Sequence, residues 1–137
     1  ERPGFIDQIK DGSQPRRMTV AVPHTDDENL SIPNMVDPAK GHPSLSEYST
    51  ANKKTVGKKV HLLHSKEPSY ENGNYRLNFF GRVSLASVKN FQLVSDEDPE
   101  NVIVQFGKVG EDKFHLDFKA PVTAFQAFSL ALTQFNM

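Results

Sequence analysis

Apolar residues are sparse up to Ser69 and recur every few positions from Tyr75 onward. In the second half, Lys113 to Phe118 alternates strictly. A period of two there predicts a strand with Phe114, Leu116 and Phe118 inward and His115 and Asp117 outward. Tyr75 to Phe79 alternates too, and Phe91 to Val94 and Val102 to Phe106 are short apolar runs ending in turn residues. Asn72-Gly73 is a hairpin turn signal, because both residues tolerate the left-handed backbone that a tight hairpin needs. Earlier, Arg17 to Val22 reads as a strand stopped at Pro23, and Lys58 to His64 as another. Between His24 and Ser46, three prolines, a glycine and an acidic run predict a long mobile loop.

After Phe118 the period changes. Phe125, Phe128, Leu132 and Phe135 stand at i, i+3, i+7 and i+10, one stripe of a helix beginning near Pro121, where a missing N–H costs nothing. Val122, Ala124, Ala127, Leu130 and Ala131 occupy the opposite side. A helix apolar on most of its circumference is expected to be buried most of the way round. In an otherwise β chain, the inside of a barrel or of a curved sheet is where that happens. The uncharged stretch from Ala120 to Met137 approaches the length of a short membrane span, but its Thr, Gln, Ser and Asn side chains favour a buried helix of a folded domain.

Composition adds limits rather than an activity. With 137 residues the chain is sized for one domain, and its 36% apolar content fits a core confined to the second half. A net charge of −1 provides no bulk field toward nucleic acid or anionic lipid, so such binding needs a local patch. The absence of cysteine excludes disulfides and thiolate metal sites. Glu1 in place of an initiator Met, with no secretory leader after it, reads as a processed product or a fragment.

Candidate chemistry is sparse. Arg16 and Arg17 enter the first long strand, where arginines match phosphate oxygens bidentately and each basic group near an anionic leaflet adds on the order of 1 kcal/mol. Alternation sends their side chains to opposite faces, and a solvated strand end is the competing reading. Lys53, Lys54, Lys58 and Lys59 form a second basic cluster, without the interleaved aromatics that stack bases. Arg82 and Lys89 are read either as ligand contacts or as structural groups, Arg82 paired with a carboxylate and Lys89 snorkelling at a rim. His24, Asp26, Asp27 and Glu28 crowd one loop, and His61 and His64 lack a carboxylate at metal-site spacing. Neither set is read as a metal centre. No nucleophile elbow or triad signature is present, and no cofactor is expected.

Three segments carry a resemblance. Asn78 to Val94 (NFFGRVSLASVKNFQLV), Val102 to Phe135 (VIVQFGKVGEDKFHLDFKAPVTAFQAFSLALTQF) and Pro15 to Pro23 (PRRMTVAVP) resemble, in order, the signatures of the tubby family. The resemblance implies a mainly β fold, an antiparallel barrel of twelve strands closed around a central hydrophobic C-terminal helix. About half of those strands would be present here. Residues 1–137 would then be the C-terminal part of a single tubby domain, with strands over 15–118, a mobile loop at 24–46 and the central helix at 121–135.

The resemblance also implies a non-enzymatic, phosphoinositide-binding adaptor that tethers membrane receptors for ciliary trafficking. Its ligand would be phosphatidylinositol 4,5-bisphosphate or another anionic lipid. Its location would be cytoplasmic and peripheral at the plasma membrane, extending to cilium or nucleus. Trafficking or F-box-linked partners would act through other regions. The family's head-group site uses a Lys-x-Arg pair and an Arg on a helix ahead of the PRRM strand, and no Lys-x-Arg occurs in this sequence. The basic candidates here are therefore Arg16, Arg17, Lys58 and Lys59. Two alternatives stand beside this reading: a nucleic-acid-binding transcription regulator, which the composition disfavours, and a structural half-barrel whose ligand site lies in N-terminal strands. A half-barrel is expected to need those strands, or a second copy, to cover its edges.

Overall fold

The computed structural model describes residues 17–23 and 60–135 in full and residues 5–9 as backbone. Eight strands are present among them: β1 Phe5–Ile9, β2 Thr19–Pro23, β3 Val60–Ser65, β4 Ser69–Glu71, β5 Asn74–Asn78, β6 Phe91–Ser95, β7 Val104–Gly110 and β8 Lys113–Phe118. One helix, α1 Ala124–Leu132, follows and tightens into a 3-10 turn at Thr133–Phe135. The architecture is mainly β, a curled antiparallel five-stranded sheet with one C-terminal helix, consistent with the tubby fold. The sheet order is β2-β3-β6-β7-β8, and a smaller sheet has the order β1-β5-β4.

The hairpin signal at Asn72-Gly73 is realised with φ of 50° and 81°, the doubly left-handed pair of a type I′ turn joining β4 to β5. Strand β8 has the bounds that alternation gives it. The strand expected at Val102 to Phe106 runs later, from Val104 to Gly110. β8 reaches past Phe106 to pair Gly107 with His115 and Lys108 with Phe114. Strands β1 and β4 have no apolar alternation to announce them, and β1 is recruited by pairing with β5. The mobile loop expected at 24–46 lies outside the described residues.

One face of the five-stranded sheet carries Leu63, Phe91, Leu93, Val104 and Phe106. They pack with Val122, Ala127 and Ala131 in a single core. Phe106 stacks on Phe114 at 4.9 Å between ring centres, and Phe135 meets both rings edge-on. Thr123 caps α1: its hydroxyl accepts from Gln126 N–H while Gln126 Oε1 accepts from Thr123 N–H, a reciprocal capping box. Pro121 therefore lies before the cap and not at the first helical position. Gln126 also donates to Pro23 O, tying the helix start to β2.

Helix burial differs from the expectation. The small face holding Ala127 and Ala131 lies on the sheet, because alanines let the helix axis approach closely. Phe125 remains 81% exposed and Phe128 57%, with Leu132 and Phe135 about half exposed. Phe125 and Phe128 thus point away from the sheet and Leu132 is half exposed, whereas Phe135 turns its ring edge onto Phe106 and Phe114.

Residues of the opposite sheet face, expected to point outward, are also covered. Leu77, Phe79 and Val83 form a second small core there, with Phe79 fully buried. Beneath them runs a polar ladder across three strands. Gln92 Nε2 donates to Gln105 Oε1 at 2.7 Å and to Asn78 O at 2.7 Å. Gln105 Nε2 donates to Phe79 O at 3.3 Å and to Asp117 Oδ2 at 3.1 Å. Gln92 and Gln105 are register partners, so the ladder follows from the β6–β7 pairing. The N–H groups of these buried amides find acceptors in the carbonyls of Asn78 and Phe79, whereas Gln92 Oε1 is buried without a partner among the described residues.

Candidate functional site

Arg17 lies two residues ahead of β2, and next to it Met18 N–H donates to Ser65 Oγ while Ser65 N–H donates to Met18 O. These bonds fix the Arg17 backbone beside the end of β3. Its guanidinium faces Glu67, with Nη1 2.9 Å from Oε1 and Nη2 3.2 Å from Oε2. Both side chains are about 70% exposed. Because both groups face solvent, a competing anion can reach the guanidinium and displace the carboxylate, although the two-point geometry is the form in which such pairs hold best.

Around Arg17 opens a cleft of about 400 Å³ lined by Thr19, His64, Lys66, Asp96 and Glu100. Lys66 Nζ lies 3.2 Å from Glu100 Oε2 and donates to Pro99 O at 2.9 Å. His64 Nε2 lies 3.3 Å from Asp96 Oδ2, and its Nδ1 is 3.3 Å from Thr19 Oγ1. Each cationic or protonatable group in the cleft therefore has a carboxylate beside it, and the cleft is not a bare anion hole. The sequence reading did not single out Lys66. The signal that places it there is register: β3 ends on β6, which brings the acidic turn after Ser95 against Lys66.

Arg16, Lys53, Lys54, Lys58 and Lys59 lie outside the described residues, as does the acidic loop from His24 to Glu28. His61 and His64 are three apart on β3 and so project from opposite faces. Among the described residues, no group of three His, Cys, Asp or Glu side chains converges to hold a metal.

Arg82 and Lys89 are both engaged within the chain. Arg82 grips Asp117 with two bonds, Nη2 to Oδ1 at 3.0 Å and Nε to Oδ2 at 3.1 Å. The guanidinium holds the Asp117 carboxyl below the usual carboxylate range, against the opposing effect of desolvation. The carboxylate in turn raises the Arg82 guanidinium further. Two left-handed residues, Phe80 at φ 55° and Gly81 at φ 77°, turn the backbone so that Arg82 meets β8. Lys89 places its ammonium 5.7 Å from the centre of the Phe135 ring, within cation–π range.

A second, more apolar cleft of about 590 Å³ lies between β3 and the turn before α1. It is lined by Val60, Leu62, Ile103 and Pro121, with Asp96 and Glu97 at its rim. His61 also lines it, and among the described residues no Lys or Arg does. Among the described residues, no helix is long and apolar enough to cross a membrane.

Comparison with known proteins agrees with this architecture. The sequence model of the Tub family matches residues 5–137. Over 125 residues the chain is 46% identical to Tubby-related protein 2 of Homo sapiens, an alignment covering 89% of this chain and 23% of that protein. It is 43% identical over 124 residues to human Tubby-related protein 1, covering 89% and 22%. It is 44% identical over 126 residues to Protein king tubby of Anopheles gambiae, covering 89% and 27%. The chain thus spans roughly a quarter of the length of the curated relatives it matches.

Proposed function

Because the chain belongs to the tubby family, we propose that it is part of a phosphoinositide-reading module that tethers a tubby-like protein to the cytoplasmic face of the plasma membrane. The role is binding rather than catalysis, and its ligand is a bisphosphorylated inositol head group. Family membership across residues 5–137 is the observation that carries this reading. Arg17 supports it locally, as an exposed guanidinium at a strand entry with an exchangeable carboxylate partner. Arg16, Lys58 and Lys59, outside the described residues, are further basic candidates in this proposal, each able to add attraction to an anionic leaflet. Delivery of membrane receptors, in cilia or elsewhere, is the role that such a module would serve in this proposal.

The aromatic stripe of α1 enters the same proposal. Phe125, Phe128 and Leu132, on one side of α1, leave much of their apolar surface exposed, the kind of patch that marks an interaction site. Further barrel strands, or a second copy of this chain, cover it.

Titration with soluble inositol trisphosphate, followed by calorimetry against inorganic phosphate at equal charge, tests the head-group reading. The proposal expects saturable binding of the trisphosphate that Arg17→Ala weakens. Binding that tracks total phosphate and collapses with added salt would instead describe non-specific counterion exchange, the behaviour of a nucleic-acid binder.

A further inference from the structure

Residues 79–90 connect β5 to β6, two strands that belong to different sheets. The connection does not run free in solvent. Phe79 and Val83 are buried against the outer face of the five-stranded sheet, with Val83 standing over Gly107. Arg82 grips Asp117 on β8 with two bonds, and His115 Nδ1, two residues earlier on the same face, donates to Arg82 O at 2.8 Å. Ser84 and Leu85 N–H both donate to Lys108 O, at 3.0 and 3.1 Å. At the far end, Asn90 Nδ2 donates to Leu85 O while Asn90 Oδ1 accepts from Lys108 N–H. One residue earlier, Lys89 lies over Phe135, which is itself packed edge-on against Phe106 and Phe114.

This segment therefore touches both sides of the sheet. Its first half is bonded to the outer face, and its last turn holds the C-terminal end of α1 on the inner side. We propose that residues 79–90 are a strap latched by Arg82 on Asp117 and tied by Lys89 to the helix end, so that releasing the latch loosens the strap and the last helical turn while the β6–β7–β8 pairing stays closed. The sheet stays closed because its register is set by its own backbone pairing and by the helix-facing core, neither of which includes the strap. The latch can open because Arg82 is half exposed, so water competes for its fork, while the two-point geometry makes the closed state specific.

Amide hydrogen exchange on the full chain tests this, comparing wild type with Arg82→Lys, which keeps the charge and loses the fork, and Asp117→Asn, which keeps the shape and loses the charge. The expected result is several-fold faster exchange at Arg82, Ser84, Leu85 and Asn90 and at Thr133 to Phe135, well beyond any change at Leu93, Gln105 and Phe106. An equal acceleration at all of these amides would reduce the pair to an ordinary stabilising contact and overturn the strap. Unchanged exchange at 82–90 would overturn it too. Should either latch variant fail to fold, Lys89→Met keeps the packed stem and removes the charge. It is expected to speed exchange at Thr133 to Phe135 alone, and no effect there would contradict the tie to the helix.

Discussion

Gly107 lies directly beneath Val83: a Cβ on Gly107 would stand 2.2 Å from Val83 Cγ2 and 2.6 Å from Cγ1. That approach is what lets the segment after β5 lie flat on the outer face of the sheet. Gly107→Ala is expected to destabilise the chain by about 1–3 kcal/mol, the usual cost of forcing extra volume into a packed site. Because the clash is mostly with the two γ-carbons, adding Val83→Ala is expected to recover part of the loss. Urea unfolding of both single variants and the double variant measures this, and strict additivity would contradict the contact.

The capping box at Thr123 gives a second expectation. Thr123→Ala removes the acceptor for Gln126 N–H and is expected to cost about 0.5–2 kcal/mol. A drop in the urea midpoint with an unchanged slope is the signature to look for.

Within the polar ladder, Gln92→Leu keeps the side-chain volume but strands Gln105 Oε1 and Asn78 O without their donor. The expected cost is about 1–3 kcal/mol, since buried acceptors are left desolvated. Denaturation of Gln92→Leu beside Leu93→Met, a volume-conserving control in the core, separates the lost hydrogen bonds from general disturbance.

Acid sensitivity follows from Asp117. Its carboxyl titrates below the usual range because Arg82 and Gln105 donate to the ionised form. A depressed folded pKa contributes stability that is complete above the ordinary Asp value, about 3.9, and is lost as pH falls through the lower folded value. Wild type is therefore expected to lose stability in that acid window more steeply than Asp117→Asn. Parallel acid limbs in the two proteins would contradict the assignment.

The exposed stripe predicts association. At rising concentration the chain is expected to self-associate, and Phe125→Ser with Phe128→Ser is expected to weaken that association without lowering the urea midpoint, because both rings are more than half exposed. Sedimentation equilibrium reads the first effect. A wild-type chain that stays monomeric throughout would remove the need for a covering partner.

Strict alternation from Lys113 to Phe118, the Asn-Gly turn and the helical stripe were each legible in the sequence, because local period and turn chemistry decide them. Which side of α1 meets the sheet was not. Period marks an apolar face, but whether alanines or phenylalanines pack inward depends on how closely the sheet admits the helix. The Arg82 partner was legible only as a residue type, a carboxylate, since naming Asp117 needs the β7–β8 register and the left-handed turn at Phe80 and Gly81. Lys66, invisible as a candidate, became part of the Arg17 cleft through strand pairing that no local pattern encodes.

Lipid selectivity is the central claim, and vesicle co-sedimentation of this chain measures it most directly. Vesicles carrying phosphatidylinositol 4,5-bisphosphate are compared with vesicles of matched charge carrying phosphatidylserine. Preferential sedimentation with the phosphoinositide, reduced by Arg17→Ala, is the predicted result. Equal partitioning between the two would contradict it and leave this chain as a scaffold without a head-group site of its own.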